Sequence, residues 1–370
     1  MNDHLHIVCL DAPAPPDYGG AIDMFYKIRA LAASGKKIIL HYFNYRTGRG
    51  TNGLEDDCVA IHSYTRKGIG SLSPSLPFIV SSRINRQLIN RLNEDNHPVL
   101  LEGLHCSGII PYLKNPGRVV VRMHNEEAAY YERLAGNEKD FKKRCYYKLE
   151  QRLIKKFYRK LVKQKVKLAA LSQQDINTFR DLGFQQVDFI PCFLPWQHLN
   201  IREGKGDYCL YHGNLAVAEN EAAAKWLISE VFNGLDMVLV ITGSGMPSSL
   251  KKLARKKKNV RLISNPAMDE LNALVRDAHI HVLPSMNATG VKLKLLHALF
   301  EGRFCISNEA GVKGSAMEML VHMAETPEAF RKMVVELYEK NFTKAEIKNR
   351  QEMLAVYDNK LNAAKLNAIW

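Results

Sequence analysis

The sequence predicts an α/β protein with two domains, each built on a doubly wound parallel sheet. Three observations lead to this prediction. The chain has 370 residues, which is long for a single hydrophobic core. Apolar strands alternate with amphipathic helices through short links in both halves of the chain. Prolines and glycines interrupt this alternation between residues 189 and 206, so we expect domains over residues 1–190 and 191–350.

The first half opens with a strand, a loop and a helix. An apolar strand over residues 6–10 leads into a proline-rich loop over residues 11–20, and helical periodicity follows over residues 21–34. Gly19 and Gly20 stand where the loop meets the helix. Glycines at such a corner let a phosphate or sugar approach the backbone, although a tight turn alone would also favour them. The Gly-x-Gly-x-x-Gly pattern is missing from this corner, which argues against a classical NAD site.

Two later strands of the first half carry ionisable residues near their ends. The strand over residues 99–105 contains Glu102 and His105, and the strand over residues 118–124 ends at His124. Ligands of open α/β sheets bind beyond the carboxyl ends of the strands, so these side chains are candidates for substrate contacts. A capping or loop role is an equally good interpretation of Glu102 and His105. The polar, turn-rich segment before these strands, residues 47–77, is expected to be the least regular region of the first domain.

The net charge of +14 is concentrated in residues 141–167, which hold twelve Lys or Arg and one acid, Glu150. Apolar residues recur there at helical spacing, which predicts one long amphipathic helix. Its basic face could simply be solvated. Attraction to an anionic membrane surface or to a lipid-diphosphate acceptor is the preferred functional interpretation. Nucleic acid ranks lower because no nucleic-acid-binding motif accompanies the charge.

The second half repeats the alternation of strand and helix. Apolar strands are predicted over residues 207–213, 237–243, 260–263 and 278–283. Gly213 and Gly243 close the first two of these strands. Each glycine could face a nucleotide, or could simply form a tight turn.

The stretch after the last of these strands has the features of an anion site. Pro284 closes the strand, and Thr289 and Gly290 are predicted to open a helix with Lys292 and Lys294 in its first turn. Free N–H groups at the start of a helix attract phosphate, and lysines add positive charge. Lysines that only face solvent are the alternative.

Residues 283–302 resemble the donor-binding signature of group 1 (family 4) glycosyltransferases. In that signature a Pro-Ser strand end leads through a Gly-centred loop into a helix of the type Lys-x-Leu-Glu-Ala-x-x-x-Gly, here residues 294–302. Thr289 and His297 stand where the family has its paired glutamates. The block that begins at His124 resembles the family's His-Asn-x-Glu-x-x-Tyr-Tyr block, and the glycine-ended strands of the second half follow in the family's order.

The resemblance implies a GT-B fold, in which two Rossmann-like domains face a central cleft. It also implies that a terminal helix, about residues 351–370, returns to the first domain through Tyr357, Leu361, Leu366 and Trp370. The implied activity is retaining transfer of a sugar from a UDP- or GDP-linked donor to a glycan or lipid-linked acceptor, in cell-surface polysaccharide or glycolipid biosynthesis. The nucleotide sugar is a substrate, and no cofactor is expected.

The resemblance also assigns roles to individual residues. The donor is expected to contact Gly20, Gly213, Asn214, Gly243, Ser285, Thr289, Gly290, Val291 and His297. Catalysis is assigned to His124, Lys292 and Lys294, and acceptor contacts to Gly19, Glu102 and His105. Because no Asp-x-Asp metal motif follows a strand, we expect cationic side chains and backbone amides to neutralise the diphosphate without a metal. His297 could accept a ribose hydroxyl, with pH sensitivity near the usual histidine pKa of ~6.5.

Composition argues against other classes of protein. Seven scattered cysteines without a Cys-x-x-Cys pair indicate neither a disulfide framework nor a zinc site. No apolar run approaches the ~20 residues of a membrane helix, so we expect a cytoplasmic protein, either free or peripheral at the inner face of the plasma membrane. Two alternatives remain: a GT-B nucleotide-sugar epimerase, and a catalytically degenerate scaffold that binds membrane or nucleic acid.

Overall fold

The computed structural model describes residues 3–370, which form two compact units. Unit 1 contains the chain up to Pro195 together with Tyr357–Trp370, and unit 2 contains Trp196–Val356. Each unit is an α/β structure around its own parallel sheet. The predicted architecture of two doubly wound domains is therefore confirmed.

Unit 1 has a seven-stranded parallel sheet in the order β3-β2-β1-β4-β5-β6-β7. Its strands are β1 (His4–Cys9), β2 (Lys37–Asn44), β3 (Cys58–Thr65), β4 (Val99–Glu102), β5 (Val119–Met123), β6 (Lys167–Ala170) and β7 (Val187–Phe189). The central strands β1, β4 and β5 are almost entirely buried. This burial explains their continuous apolar runs, because a parallel sheet has helices on both faces.

The helices of unit 1 pack on both faces of this sheet. They are α1 (Gly19–Ala33), α2 (Phe78–Ser81), α3 (Arg86–Leu92), α4 (Glu127–Asn137), α5 (Phe141–Lys163), α6 (Gln173–Asp181) and, near the end of the chain, α14 (Asn359–Asn367). One hydrophobic cluster contains buried residues of α3, α5 and α6, and the other contains buried residues of α1 and α14. A 3-10 helix spans Leu104–Tyr112.

One strand of unit 1 lies where irregular structure was predicted. β3 pairs with β2 at the edge of the sheet, with a register shift near Ile38. Seven of its eight residues are half-buried or exposed, and Val59 is 59% exposed. Residues 47–77 thus contain a strand that the sequence did not predict, because an edge strand with one paired side lacks the apolar run that marks the central strands.

Unit 2 has a six-stranded parallel sheet in the order β10-β9-β8-β11-β12-β13. Its strands are β8 (Cys209–His212), β9 (Leu239–Gly243), β10 (Val260–Ser264), β11 (Ile280–Val282), β12 (Phe304–Ser307) and β13 (His322–Met323). Its helices are α7 (Ala218–Trp226), α8 (Ser248–Ala254), α9 (Met268–Asp277), α10 (Leu293–Glu301), α11 (Glu309–Val312), α12 (Pro327–Tyr338) and α13 (Lys344–Leu354). A π-helical turn, Leu227–Val231, continues α7.

The C-terminal region is two helices separated by a 3-10 turn at Ala355–Tyr357. α13 belongs to unit 2 and α14 to unit 1, where Leu366 is fully buried. Leu361 was expected to make apolar contacts, but it is 56% exposed. That expectation is wrong because helical periodicity turns position 361 away from the face that carries position 366.

Candidate active site

The proline-rich loop of unit 1 is held in place by two side chains. The Asp11 carboxylate is fully buried and accepts hydrogen bonds from the Ala12 N–H at 2.9 Å and the Tyr18 hydroxyl at 3.1 Å. The Arg49 guanidinium donates to the carbonyls of Ala12 at 3.2 Å and Pro15 at 2.7 Å. Prolines cannot donate backbone hydrogen bonds, so these side-chain contacts stabilise the loop before α1.

Gly20 and His124 lie next to each other at the carboxyl edge of the unit 1 sheet. His124 follows β5, and Gly20 stands directly after Gly19, the first residue of α1. A methyl group on Gly20 would lie 3.9 Å from His124 Nδ1 and 3.1 Å from the Tyr18 ring. The glycine therefore leaves space beside Nδ1 that any larger residue would reduce.

A buried network of charges contacts the other ring nitrogen of His124. His124 Nε2 lies 2.8 Å from Glu102 Oε2, and the Lys27 ammonium lies 2.9 Å from the same carboxylate and 2.7 Å from Asp23. Burial raises the pKa of Glu102, but Lys27 and the His124 hydrogen bond outweigh burial and lower that pKa below its ordinary value. Glu102 is therefore ionised, accepts the Nε2–H of His124, and leaves Nδ1 facing Gly20.

Asp23, Glu102 and His124 are the one group of acidic, histidine or cysteine side chains within residues 3–370 that converges like a metal site. Their ligand atoms lie within 4.8 Å of one another. The Lys27 ammonium is in ion-pair contact with both carboxylates. An ammonium therefore already supplies the positive charge that a metal ion would bring, and the group fits an internal ion-pair network better than a metal centre.

Glu102 and His105 lie at the end of β4 and just beyond it. Glu102 is fully buried, and its carboxylate contacts His124 and Lys27. His105 lies in the 3-10 helix after β4, and its buried Nδ1 has no hydrogen-bond partner among the residues that the structure describes. Burial lowers the pKa of His105 well below its ordinary value, so the ring is neutral.

In unit 2, the turns after β8 and β9 are in direct contact. A methyl group on Gly243 would lie 1.7 Å from the Gly213 carbonyl oxygen, so only glycine fits there. The Asn214 side chain accepts a hydrogen bond from the Ala216 N–H at 3.0 Å, and its main-chain carbonyl accepts one from Asn220 Nδ2 at 2.9 Å. Gly243 thus has a packing reason to be glycine, independent of any ligand, whereas a methyl group on Gly213 would lie 3.6 Å from Asn220 Nδ2, an ordinary contact distance.

Asn287 organises the loop between β11 and α10. Its side-chain oxygen accepts hydrogen bonds from the Thr289 N–H at 2.8 Å and the Thr289 hydroxyl at 3.0 Å, and its carbonyl accepts the Ser285 hydroxyl at 2.8 Å. Lys292 Nζ donates to the carbonyls of Thr289 at 2.5 Å and Gly290 at 3.1 Å.

The prediction that residues 289–290 open a helix is wrong, because α10 begins only after Lys292, its N-cap. Gly290 has a positive φ of 67°, which no right-handed helix contains. Val291, which follows it, is half-buried in the same loop. Only Lys294 stands in the first turn of α10.

Lys294 is partly buried among neutral oxygen atoms. Its Nζ lies 3.1 Å from the Tyr211 hydroxyl and 3.2 Å from Asn220 Oδ1, and 4.6 Å from the centre of the Tyr211 ring. Burial, followed by the charge of Lys292, lowers the pKa of Lys294 to about 8. Asn220 also donates to the Asn214 carbonyl, and Gly243 packs against Gly213. The structure therefore places Lys294 close to the turns that follow β8 and β9.

His297 lies in a packed environment. Its ring stacks on Trp196 with centroids 4.4 Å apart and meets His212 edge-on at 5.5 Å. Burial lowers the pKa of His297 to about 3, so the expected pH sensitivity near pH 6.5 is wrong. Within residues 3–370 its Nε2 has no hydrogen-bond partner. A neutral ring could still accept a hydroxyl at Nε2, but only if the ligand reached a buried atom.

Several residues of these clusters were missed by sequence reasoning. Asp23 and Lys27 are four positions apart on α1, a spacing that signals an ion pair, and Arg122 interrupts a buried apolar strand. These two signals were available in the sequence. Tyr211 and Asn220 gave no signal, because their contact with Lys294 joins parts of the chain more than 70 residues apart.

The fold places this chain in the GT-B class of two-domain α/β proteins. A sucrose-phosphate synthase from Thermosynechococcus elongatus has a similar structure, with a TM-score of 0.68 and 12% identity over 99% of this chain and 98% of the other. A glycosyltransferase from Rickettsia africae gives a TM-score of 0.67 and 11% identity over 100% and 98% of the two chains. At such identities the likeness concerns the fold alone.

Sequence comparison finds a family model that matches residues of unit 2. Residues 206–340 match the family described as glycosyl transferases group 1. An uncharacterized 44.6 kDa protein in the cps region of Klebsiella pneumoniae is 26% identical over 361 residues, 91% of each chain. Residues 206–340 of unit 2 are therefore similar to the group 1 glycosyltransferase domain, and the resemblance that the motifs predict is confirmed.

Proposed function

We propose that this group 1 glycosyltransferase moves a sugar from a UDP- or GDP-linked donor to a glycan or lipid-linked acceptor, with retention of the anomeric configuration. The observation that carries the proposal is the environment of Lys294. Its ammonium contacts only neutral oxygens, and among residues 3–370 no carboxylate lies within ion-pair distance. A partly buried cation without a counter-ion is suited to bind an anion such as a diphosphate.

The chemical demand of sugar transfer agrees with this arrangement. The leaving diphosphate gains negative charge as the glycosidic bond breaks, and fixed positive groups stabilise that charge. Lys292 and Lys294 would be these positive groups, so the proposal requires no metal and no cofactor. Retention is proposed from the family resemblance.

In unit 1, the proposal concerns His124. His124, with Nδ1 beside Gly20, would accept a hydrogen bond from a donor sugar hydroxyl. Glu102 would hold its ring in position. The cps-region location of the Klebsiella pneumoniae relative supports a role in polysaccharide biosynthesis.

Nucleotide binding tests the proposal directly. We expect UDP or GDP to bind the purified protein in isothermal titration calorimetry with EDTA present, and incubation with the matching sugar donor and acceptor to give a product whose anomeric linkage is retained by NMR. Binding that requires a divalent cation would contradict metal independence. Conversion of the donor to a different nucleotide sugar without any acceptor would instead indicate the epimerase.

We also propose that α5 attaches the protein to an anionic membrane surface. Its basic residues are exposed, and its first half also exposes Phe141, Tyr146 and Leu149, with Leu149 54% exposed. Apolar side chains between lysines and arginines can enter the headgroup region while the charges attract anionic lipid. Among the helices of residues 3–370, none is long and apolar enough to cross a bilayer.

Vesicle binding tests this surface. Replacing Lys142, Lys143, Lys148 and Arg152 by Gln should weaken binding to phosphatidylglycerol vesicles at least about 100-fold, since each basic residue near such a surface contributes ~1 kcal/mol. The matched control replaces four exposed basic residues of unit 2, Lys251, Lys252, Arg255 and Lys256, by Gln. Equal weakening by the control would show that binding follows net charge and not α5.

A further inference from the structure

Three arginines surround one tyrosine at the carboxyl edge of the unit 1 sheet. Tyr45 and Arg46 follow β2, Arg66 follows β3, and Arg83 follows α2. The centre of the Tyr45 ring lies 5.3 Å from the Arg46 guanidinium carbon, 4.8 Å from that of Arg66 and 5.3 Å from that of Arg83. Guanidinium groups can stack on a phenol ring, which allows three like charges to lie close together.

The arginines of this cluster differ in how their charge is balanced. Arg46 reaches the Asp11 carboxylate at 3.4 Å. Arg66 donates to the Ser82 hydroxyl at 3.2 Å, and Arg83 donates to the carbonyls of Leu10 and Ile79, each at 2.9 Å. In the described part of the chain, neither Arg66 nor Arg83 has a carboxylate at ion-pair distance.

Arg83 is 2% exposed, and burial lowers the pKa of its guanidinium. The charge of Arg83 lowers the pKa of the Glu127 carboxyl, but burial raises it more strongly, to about 7. Glu127 is thus only partly ionised at neutral pH. A buried guanidinium balanced by carbonyl dipoles and a partly ionised acid leaves positive charge available at this edge.

The cluster borders the loop of the candidate active site. Leu10, which accepts the hydrogen bond from Arg83, directly precedes the loop that leads to Gly20. Arg46, which shares the Tyr45 ring with Arg66 and Arg83, also lies 5.5 Å from the centre of the Tyr18 ring, and a methyl group on Gly20 would lie 3.1 Å from that same ring. An anion bound by the arginines would therefore lie near the groups that we assign to the sugar-transfer reaction.

We propose that Arg66, Arg83 and the Tyr45 hydroxyl form an anion site that binds a phosphate or diphosphate group of the acceptor. This inference rests on the proposed function, in which unit 1 binds the acceptor. Arginine forks match the paired oxygens of phosphate, and Arg83 Nη2 already lies 3.4 Å from the Tyr45 hydroxyl, which can also donate. Arg66 is only half-buried and gives the ligand access.

Titration of the full-length protein with geranyl diphosphate, geranyl monophosphate and geraniol tests the site. We expect the two phosphorylated compounds to bind and geraniol to bind at least 10-fold more weakly. Arg66→Gln should weaken diphosphate binding about 10-fold or more, because a charged hydrogen bond is lost. Arg29→Gln, which removes an exposed arginine over the Phe25 ring of the same unit, should leave the affinity unchanged.

Two further variants separate the possible results. Arg83→Lys retains the charge in the buried position but loses the fork, and should weaken diphosphate binding in a protein whose circular dichroism spectrum is unchanged. Lys294→Met should leave the binding of geranyl diphosphate unchanged. If Lys294→Met abolishes diphosphate binding while Arg66→Gln does not, the anion binds in unit 2 and the inference is overturned. Equal binding of geraniol would overturn it as well. Loss of UDP and GDP binding alone would count against the proposed function and not against this site.

Discussion

His124 acquires its chemical identity from residues that the sequence places far from it. Its strand-end position predicts a ligand contact, but the tautomer depends on Glu102, which lies 2.8 Å away on β4. Lys27 on α1 keeps that carboxylate ionised. A histidine whose Nε2–H is fixed in this way presents Nδ1 as an acceptor, which suits a sugar hydroxyl.

Lys294 permits a prediction in which binding and stability change in opposite directions. Lys294→Met should weaken binding of the nucleoside diphosphate at least about 10-fold, because a charged contact is lost. It should also raise the free energy of unfolding by about 1–3 kcal/mol, because the variant no longer buries an ammonium without a counter-ion. Calorimetry and urea denaturation measure the two effects, and Lys251→Met, at an exposed site, is the control. A loss of stability would contradict the assignment.

The same lysine sets a pH dependence. Because its pKa is about 8 in the folded protein and 10.5 ordinarily, the unfolded chain binds more protons between these values, and stability should rise with pH across that window. Diphosphate affinity should fall over the same range as the ammonium loses its proton. Titrations at pH 7 and pH 9 check this, and Lys294→Met should show neither dependence.

At the scale of elements, the end of α10 is determined by a histidine on the neighbouring strand. A methyl group on Gly302 would lie 1.9 Å from Nε2 of His281, a fully buried residue of β11. The backbone of Gly302, with φ −103° and ψ 174°, is open to any residue. The glycine that ends the family signature is therefore required here by packing and not by its backbone conformation.

Gly302→Ala should lower the free energy of unfolding by about 1–3 kcal/mol, because the added methyl group overpacks a buried site. Gly136→Ala is the matched control. Gly136 is near the end of α4 and has open space where its methyl group would lie, so the change should be neutral or stabilising by up to about 1 kcal/mol. Thermal denaturation of both variants compares them, and a neutral Gly302→Ala would show that His281 moves aside freely.

At the scale of the whole molecule, the last helix completes the first unit. Asn359 of α14 donates to the Leu194 carbonyl at 2.8 Å and accepts from the Leu194 N–H at 3.0 Å. Lys167 donates to the Ile369 carbonyl at 2.9 Å, and the Trp370 indole donates to the Arg118 carbonyl at 2.8 Å. These contacts join residues more than 160 positions apart.

Two leucines of α14 should differ sharply in their contribution to stability. Leu366→Ala should cost about 2–5 kcal/mol, because it leaves a cavity in the core of unit 1. Leu361→Ala, on the exposed face of the same helix, should change stability by less than about 0.5 kcal/mol. Hydrogen exchange of β1 and β4 reports on unit 1. Equal effects of the two substitutions would contradict the burial of α14 against this unit.

Much of the architecture was predictable because local patterns specify it. Apolar runs gave the central strands and helical spacing gave α5, whereas the edge strand β3 was missed because half of its surface is exposed. The start of α10 was placed too early because side-chain bonds of Asn287 hold the preceding loop. Such bonds depend on the folded position of the loop, which residue spacing does not encode.

The sequence by itself determined the fold class and the resemblance to group 1 glycosyltransferases, because strand and helix periodicity and short motifs are local properties of the chain. Only the tertiary structure decided which ionisable groups are charged and where they act. Glu102 is an internal partner of His124, Lys294 an ammonium without a counter-ion, and His297 a neutral packed ring. The physical reason is that burial and charge partners shift protonation, and both arise from residues distant in sequence.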